Sequence, residues 1–362
     1  KHKDLTLNII AGASALLERY GKVVNQMEAD GFPPDSVIYN SVEGSGVIPM
    51  AKTTGLGIIE LASIFEKVKP DIVLTVADRY ETLSTAVAAS YMNIPVAHTQ
   101  GGEVTGSIDE NVRHAITKLS HLHFPATPRA KEYLLRMGEE KERVFLTGCP
   151  AMDVLIKNNL SINQDIIKRK KGVGSNVDLR KPYLIVVQHP VTTEYLDSKE
   201  QIAETLKAIK QLIDNNPIQV IWLWPNIDAG NDVISNYLRS YREANKEDKI
   251  EFIKNVSPED YACLLNNCLC IVGNSSSAIR EGSFLGVPAV NVGNRQLDRE
   301  MGENIINAKN SYLDIYNAIK KQINHGRYQK SNLYGDGNAS EKITDILANT
   351  KPKLVKRLNY LN

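Results

Sequence analysis

The stretch HTQGGEVTGSIDENVRHAITKLSHLHF, His98 to Phe124, decides how this chain is read. It begins at the end of a short apolar run, Ile94-Pro95-Val96-Ala97, which reads as a buried parallel strand. Gly101 and Gly102 follow and would let a ligand approach the backbone closely. Next come Glu103 and then Ser107-Ile108-Asp109-Glu110, the Ser-x-x-Glu pattern of a capping box that opens a helix. Val112, Ala115, Ile116 and Leu119 mark the apolar side of that helix. Asp109, Glu110, Arg113, His114 and Lys118 gather near its polar start. Each alone would be an ordinary solvated residue. Together they place carboxylates, cations and a histidine at the carboxyl end of a strand, where open α/β sheets bind ligands. Glu110, as part of the capping box, is expected to be structural.

Outward from this stretch, strands alternate with helices. Towards the N-terminus, strands are expected at Leu5–Ile10, Val37–Asn40 and Asp71–Ala77. Helices are expected at Ala15–Met27, Ile58–Val68 and Thr82–Tyr91, with a mobile loop carrying Gly44, Gly46 and Pro49. Beyond Phe124 come a helix to Met137, a strand Val144–Gly148 and a helix Met152–Asn158. A second alternation starts at Tyr183–Gln188 and continues through strands at Gln219–Trp224, Glu251–Ile253, Leu269–Val272 and Ala289–Val292. Such alternation means right-handed βαβ units and parallel sheets. Between the halves, Asn163–Lys181 holds Lys168-Arg169-Lys170-Lys171 and two glycines without apolar periodicity. The expected division is 1–165, a linker at 166–182, 183–340, and a terminal helix and tail at 341–362 that packs back on the first domain.

The 362 residues are enough for two domains. A net charge of +1 offers no basic field for nucleic acid, and no apolar run is expected to reach the roughly 18 residues of a membrane span. The four cysteines, Cys149, Cys263, Cys268 and Cys270, lack the spacing and histidines of a zinc site and read as core residues in a reducing, cytoplasmic setting. No metal or other cofactor motif is present.

Polar loops follow the strands of the second half. His189 begins a loop, where it could donate to a phosphate or a leaving oxygen. GNSSSAIREG, Gly273 to Gly282, is a turn into a helix start, with hydroxyls and N–H groups suited to an anion and Glu281 suited to a ribose diol. Arg295 at the next strand end suits a diphosphate. In the first half, Asp78 beside Arg79 could be a base next to an anion clamp, or a local surface ion pair.

The collinear motifs ADRYETL, GGEVTGSIDENVRHAITKLSH, GCPAMDVL, QHPVTTE, PNIDAG, GNSSSAIREG, RQLDREMGENI and YGDGNA resemble the hydrolysing UDP-N-acetylglucosamine 2-epimerases of sialic acid, legionaminic acid and related sugar biosynthesis. QHPVTTE stands where the non-hydrolysing branch typically has a His-Arg-Arg-Glu-Asn loop. The resemblance implies a glycosyltransferase-B fold, two doubly wound Rossmann-like domains facing a cleft. It implies release of UDP and a free N-acetylmannosamine-type sugar without a cofactor, by a homodimer or homotetramer. It assigns nucleotide binding to Arg79, His189, Asn226, Val256, Ser275, Ser276, Glu281 and Arg295. It assigns proton transfer to Asp78, Glu103 and Asp109, with His114 and His189 as further catalytic candidates. The family opens with a strand and a Gly-Thr-Arg loop that these residues do not include, so one edge of the first domain and one diphosphate contact are expected to be lacking. UDP-N-acetylglucosamine is the default substrate and a UDP-2,4-diacetamido-trideoxy sugar the alternative. A glycosyltransferase of the same fold, a non-hydrolysing epimerase and a non-catalytic nucleotide-sugar sensor are the competing readings.

Overall fold

The computed structural model describes residues 2–44, 46–170, 172–357 and 359. The chain divides into two units, Lys1–Asp153 with Tyr334–Asn362, and Val154–Leu333.

The second unit is built on a seven-stranded sheet. Its strands are β6 (Val173–Gly174), β7 (Tyr183–Val187), β8 (Gln219–Leu223), β9 (Ile250–Ile253), β10 (Cys270–Gly273), β11 (Ala289–Val292) and β12 (Ile305–Ala308). Their order is β12-β11-β10-β7-β8-β9-β6, parallel except for β6. The chain runs from β7 through β8 to β9 on one side, then returns to lay β10, β11 and β12 on the other. The order therefore reverses between β7 and β10, the switch point of a doubly wound sheet. Strands β7, β10 and β11 are buried throughout, as strands covered by helices on both faces must be. Their apolar side chains form one core with Ile202, Leu206 and Ile209 of helix Ser198–Asn215 and Ile315 and Ile319 of helix Tyr312–His325.

The expected linker at 166–182 lies inside this unit. Helix Asp165–Lys170 buries Ile166 and Ile167, and β6 pairs with β9. Val177 N–H donates to Glu251 Oε2 at 3.1 Å and Asp178 N–H to Gln219 Oε1 at 2.9 Å. Side chains of the sheet edge hold the segment, so it carries no apolar period of its own. Lys171 of the basic run lies outside the described residues.

The first unit holds two separate parallel sheets. One pairs β1 (Ile10–Gly12) with β2 (Ser36–Ile38); the other has the order β3 (Val73–Val76), β4 (Val96–Thr99), β5 (Leu122–Phe124). Strand β4 is buried on both faces. Leu74 and Val76 of β3 are 45% and 51% exposed. The strand expected at Leu5–Ile10 starts only at Ile10, and the one expected at Val144–Gly148 is reduced to a bridge between Val144 and His123. The helix expected at Ala15–Met27 is two short 3-10 turns followed by a helix at Val23–Ala29, because Gly21 and Lys22 turn left-handed at φ 87° and 43°. Helix Val47–Val68 begins well before Ile58, taking in part of the expected mobile loop. Pro49 sits in its first turn, where no N–H is required; Ser45 lies outside the described residues.

Helix Ala339–Asn349 belongs to the first unit. Ile343 joins a core with Ala97, Leu122 and Phe124, and the Asp153 carboxylate accepts the Ala339 and Ser340 N–H groups at 3.0 and 2.7 Å. Beyond this helix, Lys356 Nζ donates to the carbonyls of Thr117 and Ser120 at 2.7 Å each. That ammonium caps the carboxyl end of helix Asp109–Leu119.

Candidate active site

In the first unit the candidate residues follow the carboxyl ends of β3 and β4. Both strands end on a left-handed non-glycine residue, Ala77 and Gln100, each at φ 63°. Such backbone costs about 1–3 kcal/mol and persists where the surroundings impose it, often at ligand sites. Asp78 follows Ala77; the Gly101-Gly102 turn and Glu103 follow Gln100.

The centre of this cluster is Arg113, which the sequence placed only among the charges of a polar helix start. Its side chain is fully buried and all five of its N–H donors are engaged. Nε donates to Asp78 Oδ2 at 3.1 Å, and Nη2 donates to the same oxygen and to Thr105 Oγ1 at 3.0 Å. Nη1 donates to the Glu103 carbonyl at 2.6 Å and to Glu110 Oε2 at 2.9 Å. Burial alone would lower the Arg113 pKa, but the carboxylates of Asp78, Glu103 and Glu110 outweigh it and keep the guanidinium charged. One buried cation thus gathers three acids from three segments.

The expected capping box does not form. Glu110 Oε2 accepts the Thr105 N–H at 2.7 Å rather than closing on Ser107, and Oε1 lies 2.8 Å from His114 Nε2. Burial pushes the Glu110 carboxyl up, yet the His114 and Thr105 hydrogen bonds and the Arg113 charge bring it below its ordinary value. Asp109 instead pairs with Ser107, whose hydroxyl lies 2.9 Å from Asp109 Oδ2. Arg79 makes a two-point ion pair with Glu81, at 3.1 and 3.0 Å.

The two glycines also change meaning. A Cβ at Gly102, where φ is 79°, would stand 2.2 Å from the Ala130 carbonyl oxygen. One at Gly101 would stand 3.0 Å from His98 Nδ1. At both positions the space that a side chain would take is filled by the protein's own packing. His98 lies beneath the turn, fully buried; desolvation lowers its pKa to about 4, so it is neutral and its Nε2–H donates to the Ala77 carbonyl at 2.6 Å. Gln100 is buried, with Nε2 3.5 Å from Cys149 Sγ and no hydrogen-bond partner for Oε1 among the described residues. Only its left-handed backbone distinguishes it, and that is invisible in sequence.

In the second unit the candidates ring the switch point. Asn274, directly after β10, grips the backbone of His189, after β7: its Oδ1 accepts the His189 N–H at 2.7 Å and its Nδ2 donates to the His189 carbonyl at 2.8 Å. Gly273 makes this possible. At φ 130° its missing Cβ would lie 2.1 Å from the Val187 carbonyl oxygen. His189 Nδ1 accepts the Asn226 N–H at 3.2 Å, which leaves the neutral ring's proton on Nε2. Asn226 Nδ2 donates to Asp228 Oδ2 at 2.6 Å. Arg295 Nη1 donates to the Asn274 carbonyl at 3.3 Å and Nη2 lies 4.0 Å from Asp228 Oδ2. His189, Asn226, Asn274 and Arg295 therefore form one connected set at the ends of β7, β8, β10 and β11.

The serine turn is shorter than expected. Ser275 caps a four-residue helix, Ser276–Ile279, and Glu281 opens a separate helix, Glu281–Leu285. Ser275 Oγ lies 2.9 Å from Ser277 Oγ, which lies 2.5 Å from the hydroxyl of the half-buried Tyr261. So short a helix offers an anion its N–H groups and hydroxyls rather than a strong dipole. The Val256 N–H donates to Asn255 Oδ1 at 2.9 Å. Among the described residues no cluster of three His, Cys, Asp or Glu could hold a metal ion.

The sequence profile described as UDP-N-acetylglucosamine 2-epimerase matches residues 1–348. The chain belongs to this family. It is 36% identical over 361 residues, covering 99% of this chain and 92% of its relative, to the Legionella pneumophila protein named UDP-N,N'-diacetylbacillosamine 2-epimerase (hydrolyzing). It is 32% identical over 86% of this chain and 79% of its relative to the Campylobacter jejuni GDP/UDP-N,N'-diacetylbacillosamine 2-epimerase (hydrolyzing). The crystal structure of the Methanocaldococcus jannaschii UDP-GlcNAc 2-epimerase in complex with UDP-GlcNAc and UDP matches with a TM-score of 0.74 at 20% identity, over 94% of this chain and 99% of that one. The epimerase thus has the glycosyltransferase-B-like fold, two Rossmann-like units with parallel sheets, and is a UDP-sugar 2-epimerase.

Proposed function

We propose that this epimerase works in the hydrolysing sense, converting a UDP-linked 2-acetamido sugar to UDP and the free sugar inverted at carbon 2. The observation that carries the reading is the near full-length similarity to a relative named for the hydrolysing reaction. The second unit would hold the nucleoside diphosphate: His189 through its Nε2–H, Arg295 by charge, Ser275 and Ser276 through hydroxyls and N–H groups, Glu281 at the ribose and Val256 at the base. Asn226 supports this by fixing the His189 ring. The first unit would supply Asp78, Glu103, Asp109 and His114.

The carbon 2 hydrogen is not acidic in the resting sugar. As the bond from carbon 1 to the diphosphate oxygen breaks, electrons leave with UDP and carbon 1 becomes cation-like. A carboxylate then takes the carbon 2 proton, leaving a carbon 1–carbon 2 double bond. Water adds its hydroxyl to carbon 1 and a proton enters carbon 2 from the opposite face. Glu103 and Asp109 are assigned to these transfers. Asp78 sits differently from the sequence reading: bound to Arg113, it is better placed to position than to shuttle.

Two relatives named for N,N'-diacetylbacillosamine favour a UDP-2,4-diacetamido-trideoxy sugar over UDP-N-acetylglucosamine, reversing the default drawn from sequence. Four buried free cysteines suit a reducing, cytoplasmic setting. The decisive experiment is NMR product analysis in deuterated water on a panel of UDP and GDP sugars. Free 2-inverted sugar with deuterium at carbon 2, and at least a 100-fold loss of turnover in Glu103→Gln and Asp109→Asn, is expected. Epimerised nucleotide sugar as the only product, or dependence on an acceptor alcohol, would sink the proposal.

A further inference from the structure

Beyond helix Ala339–Asn349 the chain is tied to the first unit at three places. His121 Nδ1 accepts the Val96 N–H at 3.1 Å, so Nε2 carries the ring proton and donates to the Leu354 carbonyl at 2.8 Å. The Asn359 N–H donates to the Gly138 carbonyl at 2.9 Å, and a Cβ at Gly138 would stand 2.9 Å from the Asn359 carbonyl oxygen. Between these two lies Lys356, whose side chain is only 16% exposed. Its ammonium has three donors, and all are engaged. Two reach the carbonyls of Thr117 and Ser120, and the third makes an ion pair with Glu139. Lysine gives up water to this extent only where its charge is paired.

Two paths run from Lys356 to the acids at the strand ends. The first is the helix Asp109–Leu119, which has 11 residues and no side-chain cap at its start. So short a helix is marginal by itself. At its other end Ser120 Oγ donates to the Ile116 carbonyl at 2.7 Å and Lys356 to that of Thr117, so the open carbonyls and the negative end of the dipole meet donors and a cation. Fixing that end fixes Asp109 and Arg113 nearer the start, and Arg113 holds Asp78 and the Glu103 carbonyl. The second path is the sheet. Glu139 is buried and lies 2.9 Å from His123 Nε2, with Lys118 Nζ 2.9 Å from its other oxygen. Burial alone would raise the Glu139 carboxyl, but His123 and Lys356 hold it down, at about 2. His123 stands opposite His98 in the register of β4 and β5. His98 in turn donates to the Ala77 carbonyl, one residue before Asp78.

We propose that Lys356 is a positioning residue of the epimerase, holding Asp78, Glu103 and Asp109 in their working arrangement through the helix end and through Glu139. The proposal rests on the assignment of proton transfer to Glu103 and Asp109. With the nucleotide assigned to the second unit, a loosened grip should slow the chemistry and spare binding. The rate to read is deuterium entry at carbon 2 of UDP-N-acetylglucosamine and of a UDP-2,4-diacetamido-trideoxy sugar, a step that both senses of epimerisation share. Product identity then decides the hydrolysing reading, and the ratio of rates decides this one. Lys356→Met should lower kcat at least 10-fold with KM within twofold, while Lys353→Met, at an exposed position of the same tail, should change neither. Lys356→Arg keeps the charge and should retain at least a third of the parent kcat.

A pH profile gives the second readout. Burial pulls the Lys356 ammonium down to about 8, with Glu139 opposing and Lys118 and Arg143 adding to the fall. Burial also lowers His121 and His123, the other titratable groups against it, so both are already neutral there. The charge on Lys356 is present below that pH and lost above it. Parent kcat should therefore fall as pH rises through about 8, and Lys356→Arg should move the fall up by at least one pH unit. A folded Lys356→Met with kcat within twofold of the parent overturns the proposal. So does a KM that rises as much as kcat falls, a parent profile flat across this range, or a Lys356→Arg profile that falls with the parent's. Should Lys356→Met not fold, the parent and Lys356→Arg profiles decide alone.

Discussion

Asn274 holds His189 by both ends of its peptide, accepting the N–H at 2.7 Å and donating to the carbonyl at 2.8 Å. The two residues are far apart in sequence but follow adjacent strands, β7 and β10, at the point where the sheet order reverses. Replacing Asn274 by Ala removes two hydrogen bonds, each worth about 1 kcal/mol, and frees the loop that carries the ring. Asn274→Ala is expected to lose about 2 kcal/mol in urea denaturation and to raise KM for the nucleotide sugar by at least 10-fold. Unchanged KM would show that the grip is structural only.

Arg113 is the opposite case, a charge whose removal leaves carboxylates stranded. Breaking a buried ion pair from one side costs about 3–5 kcal/mol. Arg113→Met is expected to cost that much in urea denaturation, and Arg113→Lys less, since it keeps the charge but loses the fork. Adding Asp78→Asn to Arg113→Met should recover part of the loss. If the double variant is no more stable than the single one, Asp78 is not the partner that matters.

His98 makes stability depend on pH. Its folded pKa is lowered to about 4 from 6.5 by burial, so the folded state refuses a proton that the unfolded state accepts. The stability from this group is fully present above pH 6.5 and is lost as pH falls towards 4, amounting to about 3 kcal/mol. Urea midpoints should fall across that window more steeply for the parent than for His98→Asn. Parallel profiles would mean that other groups govern acid unfolding.

Gly102 separates packing from binding. Its left-handed φ of 79° opposes any side chain, and so does the Ala130 oxygen, which would lie 2.2 Å from an added Cβ. Gly102→Ala is therefore expected to lose about 2 kcal/mol or more of stability. KM of the folded fraction should stay within twofold of the parent. A selective rise in KM without loss of stability would return the glycine to the ligand.

The fold was legible because its signals are local. Apolar runs ending in polar loops mark parallel strands whatever surrounds them, and they placed β4, β7, β8, β10 and β11 within a few residues. Weak local signals misled. The Ser107–Glu110 pattern fits a capping box, but Arg113 and Thr105 compete for the same carboxylate and win with a buried charge. The segment at 166–182 looked like a linker because its bonds run to Glu251 and Gln219, far along the chain.

The sequence by itself determined the class of the molecule, its two runs of βαβ units, and which loops carry acids, histidine, serines and arginine. Those follow from periodicity and residue chemistry, properties of neighbours along the chain. Tertiary structure alone decided which of these groups meet. It buried Arg113 as the hub of Asp78, Glu103 and Glu110, set Asn274 against His189, twisted Ala77 and Gln100 left-handed, and brought Lys356 onto Glu139. The reason is the same in each case: a hydrogen bond or a contact depends on distance through space, and strand order sets that distance.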